Sequence, residues 1–220
     1  MLLNKILDQI KKHRRYKIVV FLTLLGIVLL TFRIVNTETI FFTFLLWNLF
    51  LGFLPLVFSK ALRYSTTVSN SKILNLLFLI LWLLFIPNSP YMITDLKHVY
   101  TELGIQWFDL VLVLIFAVNS LLIGIISLLD IFILLKQRYS TKITHMVVGI
   151  ICFLGGFGIF LGRFLRFNSW DIITRPDTLF WGVFHTLLMK ETWIWTLVFG
   201  GFMWIAFVVI KPLLRKNQMN

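Results

Sequence analysis

The sequence contains several apolar stretches as long as a bilayer is thick, and this limits what the chain can fold into. A helix of about 20 residues crosses the roughly 30 Å hydrocarbon layer. A further stretch from Ile73 to Ile86 is shorter, and it reaches spanning length only if its helix starts near Val68. Unpaired backbone groups are costly in lipid, so each span must be a closed helix. The long stretches are residues 17–35, 40–58, 108–135, 146–163 and 193–211.

The amount of apolar surface agrees with this interpretation. Hydrophobic residues make up 59% of the 220 residues, and 23 residues are Phe, whereas soluble domains are roughly 45–50% apolar. A core formed by so short a chain cannot absorb that surface. The sequence therefore predicts an all-α membrane protein in a lipid bilayer: a six-transmembrane-helix bundle with short amphipathic helices at its outer face. The third span is taken as residues 68–86.

The basic residues orient the bundle. With the N-terminus inside, fifteen of the 21 Lys and Arg residues fall on the inner side, and seven of the nine acidic residues fall on the outer side. This is the asymmetry of the positive-inside rule. It predicts a basic cytoplasmic segment 1–16, a membrane domain 17–211 and a cytoplasmic tail 212–220. The basic residues flank apolar segments and form no continuous stripe, which argues against nucleic acid as a partner.

The first polar segment (residues 87–102) follows the third span. Two prolines bracket Asn88-Ser89, and since the residue before a proline is disfavoured in a helix, the span is expected to end at Ile86. Ser89 is then expected to cap a new helix whose first residue is Pro90. On that helix, i, i+4, i+7 and i+11 spacing predicts one polar face. The face comprises Tyr91, Asp95, His98 and Glu102.

The second polar segment (residues 163–177) follows the fifth span on the same predicted side. Arg163 and Arg166 are spaced i, i+3, and Asn168-Ser169 repeats the earlier Asn-Ser pair. Asp95 and Asp171 are the expected carboxylate partners of these arginines, because ionisable groups at membrane depth are usually paired. Pro176 is expected to open a short interfacial helix over 176–190.

Three motifs resemble those of a known family. They are W-N-L-F-L-G-F-L-P-L at 47–56, F-I-P-N-S-P-Y-M-I-T-D-L at 85–96 and G-R-F-L-R-F-N-S-W-D at 162–171. The chain thereby resembles the bacterial integral membrane family catalogued as domain of unknown function 1361. The resemblance implies a multi-pass protein of a bacterial cell membrane, and it supplies no activity, ligand or catalytic residue.

The two polar segments suggest a binding or catalytic pocket at the outer face. Arginines suit a phosphate or carboxylate group, so an anionic lipid headgroup or a small metabolite is the expected ligand. Asp95 and His98 are the candidate catalytic pair, acting as base and orienter. The candidate ligand-binding residues are Asn88, Tyr91, Thr94, Arg163, Arg166, Asn168, Asp171 and Arg175.

Two alternatives stay open at this stage. A transporter or an accessory subunit of a membrane complex would use polar residues within the spans, although Asn48 and Asn119 are better explained as hydrogen-bonding a neighbouring helix. Asp130, near the inner end of the fourth span, is expected to be hydrated or paired with Lys136. A metal site would combine Asp95 and His98 with Glu102 or His185. The sequence indicates no particular cofactor.

Small residues predict where helices approach closely. Gly158-x-x-x-Gly162 in the fifth span and Ser120-x-x-x-Gly124 in the fourth are small-xxx-small patterns. These surfaces are expected to pack against each other, which would bring Asp109 near the Arg163 end of the fifth span. Dimerisation through the same surfaces stays open.

Overall fold

The protein is an all-helical bundle of membrane-spanning length. The computed structural model describes residues 14–99 and 106–216, apart from the side chains of Arg14, His98, Gln106, Arg215 and Lys216. Within these residues there are α- and 3-10 helices and no strand. This confirms the predicted all-α architecture with six spans. The six helices long and apolar enough to cross a membrane in the described part are Arg15–Thr37, Phe41–Tyr64, Lys72–Lys97, Trp107–Lys136, Thr141–Phe164 and Lys190–Leu214.

The α-helices of the six spans, in chain order, are Arg14–Thr37, Phe44–Tyr64, Lys72–Phe85, Gln106–Lys136, Thr141–Phe164 and Lys190–Lys216. The shorter elements between them are 3-10 helix Phe41–Thr43, α-helices Thr66–Asn70 and Asn88–Tyr91, 3-10 helix Met92–Val99, and α-helices Asp171–Thr174 and Pro176–Leu187. The last of these has Pro176 in its first turn, as predicted. The end of the bundle that carries both polar segments is called the polar-loop end below, and the opposite end is called the basic end.

The fourth span lies at the centre of the bundle. Side chains such as Leu112, Phe116 and Ile123 are fully buried, and the span contacts the first, second, fifth and sixth spans. The peripheral spans instead leave large apolar side chains such as Phe21 and Ile205 more than 60% exposed. An exposed apolar surface of this kind is expected of helices that face lipid.

The third span reaches its length in a different way from the prediction. Its helix begins at Lys72, not Val68, because the Ser71 hydroxyl caps it by accepting the Leu74 N–H. The added length comes from the other end. Ile86 keeps a right-handed helical backbone (φ −56°, ψ −33°) although Pro87 follows it, and helical turns continue to Val99. Ile86 is completely buried, so tertiary packing overrides the local preference against a helix before proline.

The expected capping role of Ser89 is also wrong. The capping position of helix Asn88–Tyr91 is Pro87, and the Ser89 hydroxyl donates to the Gly52 carbonyl in the second span over 3.1 Å. A Cβ placed on Gly124 would lie 2.6 Å from the Ser89 Cβ, and one on Gly52 would overlap the Ser120 Oγ. The small residues of the fourth span therefore admit the second span and the first polar segment.

The predicted packing of the fourth span on the fifth through their small residues is likewise wrong. A Cβ on Gly158 would lie 2.6 Å from the Pro87 Cγ, and one on Gly162 would lie 3.3 Å from the Tyr91 ring. The fifth span packs most closely on the sixth, where a Cβ on Gly156 would meet the Gly200 backbone at 2.6 Å. Gly158 and Gly162 thus admit the first polar segment.

Buried ion pairs join spans at both ends of the bundle. At the polar-loop end Arg33 Nε lies 2.9 Å from Asp109 Oδ1. Asp109 therefore pairs with an arginine of the first span, and the expectation that it lies near the Arg163 end of the fifth span is wrong. At the basic end the Asp130 carboxylate forms ion pairs with Lys60 Nζ at 2.7 Å and with Arg63 Nη1 at 2.6 Å. The expected pairing with Lys136 is therefore wrong, because the second span supplies two closer cations.

Candidate functional site: a cationic cavity between the polar segments

The first polar segment turns more tightly than expected, which changes the side chains that share a face. From Met92 to Val99 it is a 3-10 helix, in which residues i and i+3 eclipse. Tyr91, Thr94 and Lys97 therefore align, whereas the predicted α-helical face of Tyr91 with Asp95 does not form. Tyr91 and Lys97 both line a cavity described below.

Asp95 anchors this segment to two spans. Its side chain is buried at 2% exposure, and its two oxygens accept separate donors, Asn48 Nδ2 at 2.9 Å and Arg163 Nη1 at 3.4 Å. The Arg163 guanidinium also donates to the Thr94 carbonyl at 2.8 Å and lies over the Tyr91 ring. The predicted Arg163–Asp95 pair is present, and it holds the first polar segment against the end of the fifth span.

The second polar segment is tied together by Asp171. One carboxylate oxygen accepts the Thr174 hydroxyl and Arg175 Nε, and the other accepts the Asn168 N–H and Arg175 Nη2. The Arg175 guanidinium and the Asn168 N–H lower the pKa of this carboxyl to about 2. Asp171 is therefore engaged within its own loop, and the expectation that it pairs with Arg163 or Arg166 is wrong.

The two polar segments meet through their Asn-Ser pairs. Asn88 Nδ2 donates to Ser169 Oγ over 3.0 Å, and the Ser169 hydroxyl donates to the Leu84 carbonyl over 2.9 Å. Asn88 also donates to the Phe85 carbonyl. Because the carbonyls of Leu84 and Phe85 lie in the last turn of a helix, they have no partner within it. The second segment thus closes the end of the third span.

A cavity of about 680 Å³ lies beside this junction, within the range of small-molecule sites. Residues of the second, third and fifth spans form its walls, and the second polar segment and helix Pro176–Leu187 complete it. No Asp or Glu of the described residues lines it. Its polar and charged lining consists of Asn48, Asn88, Tyr91, Lys97, Arg163, Arg166, Asn168 and Ser169.

Two of the three cations that line the cavity are exposed and have no ion-pair partner in the described part of the chain. These two are Lys97 and Arg166. Arg163, by contrast, is held by Asp95 and the Thr94 carbonyl. Arg166 has a φ of +57° just after the fifth span, a left-handed position where helices usually place glycine. The backbone there adopts a conformation unfavourable for arginine.

The structure brings together only part of the predicted site. Of the candidate ligand-binding residues, Asn88, Tyr91, Arg163, Arg166 and Asn168 line the cavity. Thr94 does not line the cavity. Its carbonyl accepts a hydrogen bond from Arg163, and its hydroxyl donates to the Tyr91 carbonyl. Outside the lining lie Asp95, Asp171 and Arg175.

The predicted catalytic pair and the metal hypothesis depend on residues that are only partly described. The His98 side chain and all of Glu102 lie outside the described part of the chain, so the Asp95–His98 pairing stays a prediction. Among the side chains that are described, no three His, Cys, Asp or Glu residues come together as metal ligands would.

Lys97, Asn48 and Ser169 were missing from the predicted site. Lys97 could have been found from its i, i+6 relation to Tyr91, but only if a 3-10 helix had been assumed. The interpretation of the mid-span amides is confirmed: Asn48 donates to Asp95, and Asn119 donates to the Thr23 hydroxyl at 2.8 Å. The repeated Asn-Ser pair marked Ser169 in the sequence, but its partners, Asn88 and the Leu84 carbonyl, could not be inferred from that pair.

Comparison with known proteins identifies the family but no activity. The model of a family described as Protein of unknown function (DUF1361) matches residues 47–206. The chain belongs to the DUF1361 family. That match contains the whole lining of the cavity, from Trp47 to Val183, so the site lies within the region that defines DUF1361. No curated protein and no solved structure matches the chain.

Proposed function

We propose that the cavity is a binding site for an anionic group, a phosphate or a carboxylate, at the extracytoplasmic face of a bacterial cell membrane. The group belongs either to a lipid headgroup or to a small metabolite. The observation that carries this proposal is the presence of two exposed cations, Lys97 and Arg166, on a cavity that no described carboxylate lines. A guanidinium presents several donors in a fixed plane that matches such oxyanions.

The remaining lining supports the same chemistry. Asn88, Asn168 and Ser169 are neutral hydrogen-bonding residues, so they supply donors without cancelling positive charge. Arg163 reaches the cavity from a fixed position, because Asp95 and the Thr94 carbonyl hold it. One arginine therefore shapes the site while the second remains available for the ligand.

The orientation in this proposal follows from the charge asymmetry of the loops. Basic residues concentrate at the end of the bundle opposite the cavity, which the positive-inside rule assigns to the cytoplasm together with both termini. The transporter alternative receives less support, because Asn48 and Asn119 are engaged in hydrogen bonds between elements of the bundle.

The test is calorimetric titration of the purified full chain in a neutral detergent. The probes are glycerol 3-phosphate, a soluble anion, and dioctanoyl phosphatidylglycerol, an anionic lipid. Arg166→Ala removes a charge-assisted contact that is typically worth about 1.5–3 kcal/mol, so at least one probe should bind about 10–100-fold more weakly. Arg138→Ala, which removes an exposed arginine at the basic end, should leave binding unchanged.

Lys97→Ala provides a second comparison, matched by Lys190→Ala. Both lysines are exposed, but only Lys97 lines the cavity. If neither probe binds, or if the cavity variants and their controls weaken binding equally, the cavity is not an anion site.

A further inference from the structure

The cavity is apolar over most of its depth. Below the cations its walls are formed by the third and fifth spans, with Leu83, Leu84, Leu154, Phe157 and Leu161 among the lining residues. Leu154 lies nine residues before Arg163 in the same helix, which corresponds to about 13 Å at 1.5 Å per residue. The cavity therefore extends from its cationic end almost halfway into a hydrocarbon layer of about 30 Å.

The apolar part is open towards the side of the bundle. Leu83 in the third span and Leu154 in the fifth line the cavity, yet they remain 38% and 49% exposed. Both residues belong to helices long and apolar enough to span a membrane, where exposed apolar side chains are expected to contact lipid. Apolar side chains of both spans thus line the cavity and also remain accessible, so the border between these two spans is the route by which lipid would reach it.

The combination of a cationic end with an apolar wall favours one of the two proposed ligands, a membrane lipid, over the other, a small soluble metabolite. A small soluble metabolite would fill only the polar end, and any polar group it placed deeper would lose hydrogen bonds. An acyl chain suits the same wall, because it passes from the apolar bilayer to an apolar surface, packs against it and leaves no polar group without a partner. The charge at one end matches an anionic headgroup.

Resting on the proposed function, we infer that the occupant of the cavity is an anionic membrane lipid that enters sideways between the third and fifth spans. Its headgroup lies at Lys97 and Arg166, and one acyl chain lies along Leu154, Phe157 and Leu161. The protein therefore takes its ligand from the bilayer and not from the aqueous phase.

The deciding experiment blocks the acyl part of the cavity while leaving the cations in place. Leu154→Trp fills the space between the two spans, and Ile150→Trp is its matched control. Ile150 is one turn earlier on the same helix, it is 53% exposed, and it does not line the cavity. Binding of dioctanoyl phosphatidylglycerol, dioctanoyl phosphatidylcholine and glycerol 3-phosphate is measured for each variant in neutral detergent.

The expected result separates the probes. Dioctanoyl phosphatidylglycerol should bind at least tenfold more tightly than either glycerol 3-phosphate or the zwitterionic lipid. Leu154→Trp should weaken its binding at least tenfold without changing that of glycerol 3-phosphate, and Ile150→Trp should change neither. Equal affinities for phosphatidylglycerol and glycerol 3-phosphate, or a Leu154→Trp protein that binds the lipid normally, would overturn the lipid assignment but leave an anion site. Failure of both anionic probes would overturn the proposed function itself.

A second measurement does not depend on how well the tryptophan variant folds. Phosphatidylglycerol with a photoreactive diazirine at the end of one acyl chain is bound to the wild-type protein and irradiated. Labelling should concentrate in residues 154–161, and Arg166→Ala should reduce it. Labelling spread evenly over the lipid-facing spans, unchanged by Arg166→Ala, would show an ordinary lipid annulus and would overturn the inference.

Discussion

Asn88 and Ser169 are 81 residues apart in the chain, and their side chains are joined by a hydrogen bond of 3.0 Å. This contact fastens the second polar segment to the end of the third span, and both residues line the cavity. The Asn88-Ser89 and Asn168-Ser169 pairs are alike in sequence, but their individual side chains have different partners in the fold. Asn88 and Ser169 join the segments, whereas the Ser89 hydroxyl binds the second span.

The first prediction concerns that joint. Asn88→Ala should lower the free energy of unfolding by about 1–2 kcal/mol, because Ser169 and the Phe85 carbonyl lose a donor. Thermal unfolding in detergent measures the effect, and a double-mutant cycle with Ser169→Ala should give a coupling of about 0.5–1.5 kcal/mol. Asn36→Ala, which removes an exposed amide bonded within its own helix, is the control. A coupling of zero would mean that the two segments are held together by other contacts.

The second prediction compares an ion pair with both partners buried to one whose arginine is half exposed. Asp109→Asn should destabilise the protein by about 3–5 kcal/mol, since Arg33 would be left as an uncompensated charge at 2% exposure. Replacing both partners, with Arg33→Met and Asp109→Leu, should recover much of that loss. Arg175→Ala removes a side chain that is 54% exposed, and it should cost less than Asp109→Asn, because Asp171 keeps the Asn168 N–H and the Thr174 hydroxyl as donors. Equal losses for the two pairs would contradict this ranking.

The third prediction separates stability from binding at Arg166. Arg166→Gly should stabilise the fold by roughly 0.5–1 kcal/mol, because glycine adopts a φ of +57° without the strain of a side chain. The same change should weaken binding of the anionic probe, as Arg166→Ala does. Melting temperature and calorimetric titration of the glycine and alanine variants test both effects. A glycine variant less stable than wild type would show that the guanidinium itself supports the loop.

The fourth prediction is a pH dependence set by Asp171. The folded pKa of its carboxyl is lowered to about 2, below its unfolded value near 3.9. Its contribution to stability is therefore fully present above about pH 4, and it is lost as the pH falls towards 2. The difference in melting temperature between wild type and Asp171→Asn should be constant from pH 5 to 7 and should shrink below pH 4. A difference that grew on acidification would have the opposite sign and would exclude this role.

The fifth prediction tests the orientation of the bundle without altering any charge. Ile173→Cys lies in the second polar segment and Tyr139→Cys lies at the basic end, and both positions are exposed. In a Cys152→Ser background, a membrane-impermeant maleimide added to intact cells should label position 173 and spare position 139. The reverse pattern would place the cavity on the cytoplasmic side. Permeabilised cells, in which both positions should react, provide the control.

The number and helical character of the spans were predictable from the sequence, because the bilayer imposes its thickness on each segment separately. The start of the helix at Pro176 and the hydrogen bonds of Asn48 and Asn119 to neighbouring elements were also predictable, because each depends on a property of the single residue. A fixed φ and a buried amide each constrain the chain whatever the neighbouring helices do.

The course of the first polar segment depended on contacts far away in the sequence. Pro87 was expected to end the third span, yet Ile86 stays helical because it is buried and because Gly158 leaves room for the proline ring. The 3-10 helix that follows then directs Lys97, and not Asp95, to the cavity. Local preferences of this kind are small, so packing between helices can reverse them.

The sequence alone determined that the chain folds in a lipid bilayer, that it has six spans, and where its two polar segments lie. The length of each apolar stretch fixes the spans, and charged side chains must lie where water can hydrate them. The sequence also indicated the pair of Arg163 with Asp95, but only the tertiary structure decided the others: Arg33 with Asp109, and Asp130 with Lys60 and Arg63. Each pairing joins residues from different spans, and its energy depends on a distance that no single helix fixes. The availability of Arg166 and Lys97 is a consequence of that distribution.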